Sequence, residues 1–184
     1  MEGGTTGEPP LCPVERVVSG GQMGADRAGL DAALDLGLPI GGWCPAGRRA
    51  ADGPLPAVYP LTETPSEGYT ERTRWNVRDS DATVLLVWEY LVPGGGTAQT
   101  QRFAQELQRP CLVLDVSGGE AAAAHELARW CAEHKVRVLN VAGPTEGPKA
   151  PVYEPSRRVV AAALQPTARA AGLPAAEPPV EADA

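Results

Sequence analysis

One α/β domain built on a doubly wound parallel sheet is the fold class that three observations predict. Short apolar runs stand at residues 17–18, 82–88, 111–116 and 136–141, helical periodicity fills the intervals, and glycine-rich turns lie where two of the runs pass into helices. Strands joined by helical crossovers lie parallel and the crossovers are right-handed, so every strand-to-helix turn falls on one edge of the sheet. Ligands of open α/β sheets bind at that edge.

The 184 residues suit a single domain, assigned to residues 14–165. Residues 1–13, rich in Gly, Thr and Pro, and residues 166–184, rich in Pro, Ala and Glu, are expected to be disordered. The first strand, Val17-Val18, runs into Ser19-Gly20-Gly21-Gln22-Met23-Gly24-Ala25-Asp26. Gly20, Gly21 and Gly24 let the backbone turn sharply and leave N–H groups pointing out of a helix start, which is an anion site made of backbone. It lacks the Lys-Ser/Thr of a Walker A loop and the Gly-x-Gly-x-x-Gly of dinucleotide binders, and a tight ligand-free connection has the same pattern. The helix Ala25 to Leu36 sets Ala25, Gly29, Ala32, Ala33 and Leu36 on one face, and Gly37 ends it before a second strand at Leu38 to Gly41.

Residues 42–68 have no periodicity but contain Trp43, Cys44, Tyr59 and several prolines, so an ordered, functional loop is expected. Arg48 and Arg49 within it suit either an anion clamp or surface ion pairs. A short helix over Tyr69 to Ser80 puts Arg72, Asn76 and Asp79 on one face beside Trp75 and Arg78. Asp79 and Asp81 sit at its C-terminal end, where the helix dipole disfavours carboxylates, so either an Arg78–Asp81 pair closes the turn or a ligand's polar edge is read there.

Ala82 to Trp88 is apolar throughout and reads as a strand buried on both faces. Pro93-Gly94-Gly95-Gly96-Thr97-Ala98-Gln99-Thr100 is a second glycine-rich turn into a helix, whose inner stripe is Thr100, Phe103, Ala104 and Leu107. A strand at Cys111 to Val116 and a helix at Gly119 to His134 follow, making Cys111 and Cys131 core residues. Val136 to Val141 is the last strand, and Tyr153 to Leu164 the last helix.

The formal charge of -7 argues against nucleic acid as a partner. No apolar run approaches the roughly 20 residues of a membrane helix, and Met1-Glu2-Gly3-Gly4 has no signal character, so a cytoplasmic protein is expected. The four cysteines form no Cys-x-x-Cys pair, and His125 and His134 fall on opposite faces of one helix, so no metal site is indicated.

Ser19-Gly20-Gly21-Gln22-Met23-Gly24-Ala25-Asp26-Arg27, Gly42-Trp43-Cys44-Pro45-Ala46-Gly47-Arg48, Trp75-Asn76-Val77-Arg78-Asp79-Ser80-Asp81-Ala82 and Leu139-Asn140-Val141-Ala142-Gly143-Pro144 together resemble the molybdenum carrier family, also called molybdenum cofactor carrier proteins. The match runs from about Val14 to Leu164. The resemblance implies a Rossmann-like fold, a homo-oligomer (dimer or tetramer), and the binding, protection and delivery of molybdenum cofactor without chemistry on it. That ligand is a phosphorylated molybdopterin, and molybdoenzymes or cofactor-synthesis proteins are the implied partners. By the same resemblance Gly20, Gly21, Gln22, Met23 and Gly24, with Gly95, Gly96 and Thr97, cradle its phosphate, Asp26 belongs to the cofactor-binding set, and Arg48, Asn76, Arg78, Asp79 and Asp81 are the candidates for contacts to the pterin or molybdate. The family usually has Thr where Met23 stands. Pro93 to Gln99 resembles the Pro-Gly-Gly-x-Gly-Thr-x-x-Glu of the related phosphoribohydrolases but lacks the Glu, which removes the group expected for N-glycosidic hydrolysis. A nucleotide-binding sensor and a phosphoribohydrolase-like enzyme acting on a nucleoside monophosphate are the alternatives. Cys44 is read as a packing residue or, with its thiol acidified beside Arg48, a soft metal ligand.

Overall fold

The computed structural model describes residues 11–173, so the expectations for residues 1–10 and 174–184 lie outside the described residues. The elements are β1 (Arg16–Val18), α1 (Ala25–Asp35), β2 (Ile40–Gly41), four two-residue strands β3 (Trp43–Cys44), β4 (Arg49–Ala50), β5 (Gly53–Pro54) and β6 (Thr62–Glu63), then α2 (Tyr69–Arg78), β7 (Ala82–Val87), α3 (Gly96–Glu106), β8 (Cys111–Asp115), α4 (Glu120–Glu133), β9 (Val138–Ala142) and α5 (Tyr153–Ala170).

β2, β1, β9, β7 and β8 form, in that order, one parallel sheet. β7 sits inside it with all six residues buried, as its unbroken apolar run requires. The buried Asn140 amide donates to the Thr83 hydroxyl (3.1 Å) and ties β9 to β7. α5 packs against both α1 and α4, while α2 packs against α3. Right-handed crossovers put these two groups on opposite faces. Gly29 lets α1 press onto β9, since a Cβ there would stand 2.6 Å from the Val141 side chain.

Numbered by chain order, the five sheet strands run 2-1-5-3-4. Moving the last strand to the front turns this into 3-2-1-4-5, the order of the dinucleotide-binding Rossmann sheet. The protein is therefore a Rossmann-like single domain whose central strand, β9, comes last in the sequence. In such a permutation the chain ends must meet where an uncut chain would run from the helix after the central strand into the next strand. The two ends of the described fold do meet there: the Thr167 hydroxyl on α5 donates to the Cys12 carbonyl just ahead of β1.

That junction corrects two expectations. Cys12 is fully buried, so the ordered fold begins before residue 14, and α5 runs past Leu164 to Ala170 with Ala168 buried against the core. Residues 42–68 are also more structured than the absent periodicity implied. Their order comes from Arg48, whose guanidinium donates to the carbonyls of Leu55, Pro56, Tyr59 and Leu61, while Leu55, Tyr59 and Leu61 are buried. Asp31 on α1 then accepts from both the Tyr59 hydroxyl (2.7 Å) and the Tyr153 hydroxyl (2.6 Å), joining this segment to α5. Cys111 lies on the edge strand and is only half-buried.

Candidate functional site

The chain leaves β9 toward α5 on one face of the sheet and leaves the neighbouring β7 toward α3 on the other. Such a reversal opens a crevice at the carboxyl ends of the two strands. An open cleft of about 600 Å³ lies there. One wall is the loop after β7 with the start of α3, and the other is the loop after β9; Tyr69 and Arg72 of α2 close one side, and Gln22 and Asp26 form the floor.

The start of α3 faces this space with Gly95, Gly96 and Thr97. Gly95 caps the helix with extended backbone and no side chain closes the end. The first bond of the helical ladder is Gln99 N–H to the Gly95 carbonyl (3.0 Å), so the N–H groups of Gly96, Thr97 and Ala98 precede the ladder. With the helix dipole they form an anion-seeking end beside the Thr97 hydroxyl.

The first glycine turn is arranged differently. Gly20, Gly21, Met23 and Gly24 are not part of the cleft lining. Three of the turn's donors are met within the chain: Gln22 N–H by Asp26 Oδ2 (3.4 Å), Met23 N–H by its neighbour's Oε1 (3.2 Å), and Ala25 N–H by the Pro144 carbonyl (3.3 Å). The anion at this turn is the protein's own carboxylate. Asp26 is almost fully buried, and a phosphate placed beside it would meet a like charge at low dielectric. Gly20, Gly21, Met23 and Gly24, expected to cradle phosphate, thus stand outside the cleft and beside the Asp26 carboxylate.

Arg72 is the countercharge. Its Nη1 stands 3.2 Å from Asp26 Oδ2, with 12% and 4% of the two side chains exposed. Burial pushes the Asp26 carboxyl above its ordinary value of 3.8, and the Arg72 charge and the backbone donors pull the other way. The guanidinium lies so close over Gly20 that a Cβ there would fall 1.8 Å from Nη1.

The remaining predicted contacts lie away from the cleft. Arg48 is held by the four carbonyls named above. Asn76 accepts from Trp43 N–H (2.8 Å) and donates to the Trp43 carbonyl (2.9 Å), fastening β3 to α2. Asp79 pairs with Arg78 (2.6 Å) and accepts from Trp43 Nε1 (2.8 Å), and Arg78 stacks on Trp75. Asp81 accepts from the N–H groups of Arg137 (3.0 Å) and Val138 (2.8 Å) at the opening of β9, on the opposite edge of the sheet. Arg78 pairs with Asp79 rather than with Asp81, whose carboxylate is engaged by these two backbone donors. Burial pushes the Cys44 thiol up despite Arg48, so the acidified thiolate is corrected to a buried packing residue.

Residues the sequence did not single out complete the cleft: Tyr69, Trp88, Tyr90 and Lys149. Composition could have flagged the aromatic pair on the loop before the second glycine turn; nothing in the pattern around Lys149 could. The lining carries two carboxylates, Asp26 in its ion pair and Glu89 on the exposed rim loop. Among the described residues no three His, Cys, Asp or Glu side chains gather to hold a metal ion, and no helix is long and apolar enough to cross a membrane.

The sequence model of the circularly permutated YpsA SLOG family matches residues 17–164. The chain belongs to this family. The permuted strand order derived above is the structural counterpart of that description. The cpYpsA chain is also similar to a crystal structure from Syntrophus aciditrophicus SB named "Putative molybdenum carrier protein", with 38% identity, a TM-score of 0.78, and coverage of 83% of this chain and 96% of that one. The resemblance read from the four motifs is thereby met in both sequence and fold. No curated protein matches the chain.

Proposed function

We propose that this cpYpsA protein is a non-catalytic carrier that holds molybdenum cofactor, the molybdenum-bearing phosphorylated pterin, in the cleft between β7 and β9. The observation that carries the proposal is the uncapped start of α3 opening into a cleft of about 600 Å³ with aromatic walls. A phosphate monoester fits the N–H groups of Gly96 and Thr97, and a planar pterin fits the faces of Trp88, Tyr90 and Tyr69. That volume lies within the range of small-molecule sites. The neighbour's name supports molybdenum as the cargo. An open cleft also suits a ligand that is taken up and handed on rather than sealed in.

A nucleoside monophosphate presents the same chemistry, a phosphomonoester on a planar ring, and the switch-point position favours it as the second reading. Hydrolysis of its glycosidic bond finds little support, because Asp26 is held by Arg72 and Thr100, whose hydroxyl donates to the Gly96 carbonyl, stands on α3 where an acid would be needed. The test is protein purified anaerobically from a host that synthesises the cofactor, with metal measured by mass spectrometry and oxidised pterins by fluorescence chromatography. Near-equimolar metal and pterin is expected. A bound nucleotide with neither metal nor pterin would transfer the site to the second reading.

A further inference from the structure

We propose that Arg72 is a ligand-binding residue of the cleft, the receptor for a second oxyanion besides the phosphate at α3, and that Asp26 is the positioning residue that holds it ready. The inference rests on the cleft reading above and adds to it the class of group recognised: a tetrahedral oxyanion, either a phosphate or an oxometalate such as molybdate.

Arginines elsewhere in this protein are used differently. Arg48 spends Nε, Nη1 and Nη2 on four carbonyls. Arg27 binds both oxygens of Asp52 and the Gly21 carbonyl. Both are structural arginines whose two terminal nitrogens are in use, although Arg27, like Arg72, keeps a buried Nε without a partner. Arg72 is not. A guanidinium has five N–H donors, and among the described residues Arg72 makes one hydrogen bond, from Nη1 to Asp26 Oδ2. Its Nε is buried without a partner, and Nη2 makes no hydrogen bond. The cleft lining includes this side chain, and its edge opposite Asp26 is the unused one. A planar fork with free donors in a partly enclosed site matches the geometry of an oxyanion.

Asp26 explains why the fork stays in place when the cleft is empty. Its Oδ2 also accepts from Gln22 N–H, so the carboxylate is anchored to the turn and cannot follow Arg72 outward. The ion pair is strong enough to orient the guanidinium and, at 3.2 Å through a single bond, leaves its remaining donors for a ligand. Asp26 therefore partly neutralises Arg72 and moderates its pull on an incoming anion. Removing that negative charge has to strengthen oxyanion binding, and removing both charges has to weaken it.

The test is calorimetric titration of wild type, Asp26→Asn and the double variant Arg72→Gln/Asp26→Asn with three probes: inorganic phosphate, molybdate and the uncharged pterin neopterin. The double variant replaces the ion pair by an amide pair of similar shape, so it leaves no unpaired buried charge, and circular dichroism checks its fold. For whichever oxyanion Arg72 receives, Asp26→Asn is expected to bind at least threefold tighter than wild type and the double variant at least tenfold weaker, with neopterin unchanged. The oxyanion that responds identifies the source of the group. A double variant that binds phosphate and molybdate as wild type does overturns the proposal, as does a wild type that takes neither. Loss of neopterin binding in wild type instead counts against the pterin reading of the cleft and leaves the Arg72 result to be judged by the oxyanions alone.

Discussion

Gly20→Ala is a perturbation that separates Arg72 from Asp26 without altering either. The new Cβ would lie 1.8 Å from Nη1 and 2.4 Å from Cζ of Arg72, far inside contact distance, so the guanidinium has to swing away. Asp26, 97% buried, is then left without its countercharge. Breaking a buried pair by removing one partner costs about 3–5 kcal/mol. Neutralising the carboxyl caps this cost. From its ordinary value of 3.8, protonation costs at most about 4 kcal/mol at pH 7 and about 1.6 kcal/mol at pH 5. The alanine returns about 0.4–1 kcal/mol by narrowing the unfolded ensemble. The net expectation is a loss of about 2–4 kcal/mol at pH 7, falling to about 1 kcal/mol at pH 5. The sign follows from linkage: a carboxyl whose folded value is raised binds its proton more tightly when folded, so stability returns as the pH falls. Denaturant unfolding at both pH values, with equal slopes checked, measures it. A loss under about 1 kcal/mol at pH 7, or the same loss at both, would refute the idea that Arg72 neutralises Asp26 over this glycine.

Asp81→Ala should cost about 1–3 kcal/mol of stability by freeing the N–H groups of Arg137 and Val138, yet leave ligand affinity unchanged, as paired unfolding and binding titrations would show. The Arg27 guanidinium holds the Asp52 carboxyl below its ordinary value of 3.8. Its contribution to stability is therefore complete above that value and lost as the pH falls through the depressed one, so Asp52→Asn should lose that contribution in full at pH 7, about 0.2–1 kcal/mol for so exposed a pair, and flatten the acid limb of an unfolding profile as the deficit disappears below about pH 4.

Elements whose signal is local were legible in the sequence. β7 is an apolar run buried on both faces, and the alanine and glycine face of α1 packs where its periodicity put it, with Gly29 against Val141. The second glycine turn was legible too, because chain direction alone sets the start of α3 at the ligand edge. What could not be read was who fills each polar site. The first glycine turn has the backbone of an anion loop, but its anion is Asp26, and the cation that makes this tolerable, Arg72, comes from α2 at a sequence separation of 46. Asp81 and Asn76 look like recognition residues because they are polar and clustered. Their partners are backbone groups of β9 and β3, which no local pattern displays. Cys12 and Ala168 stood in compositionally loose segments, and only the permuted topology, which brings the segment before β1 against the end of α5, makes them core.

The central claim is that the β7–β9 cleft, and not the polar cluster around Asn76, Arg78, Asp79 and Asp81, receives the ligand. Hydrogen exchange of the protein with and without added molybdenum cofactor, resolved by peptide, tests it most directly. Slowed exchange is expected at residues 88–100 and 142–150 with no change at residues 76–81. Slowing at residues 43–48 and 76–81 instead, or no slowing anywhere with the cofactor in excess, would contradict it.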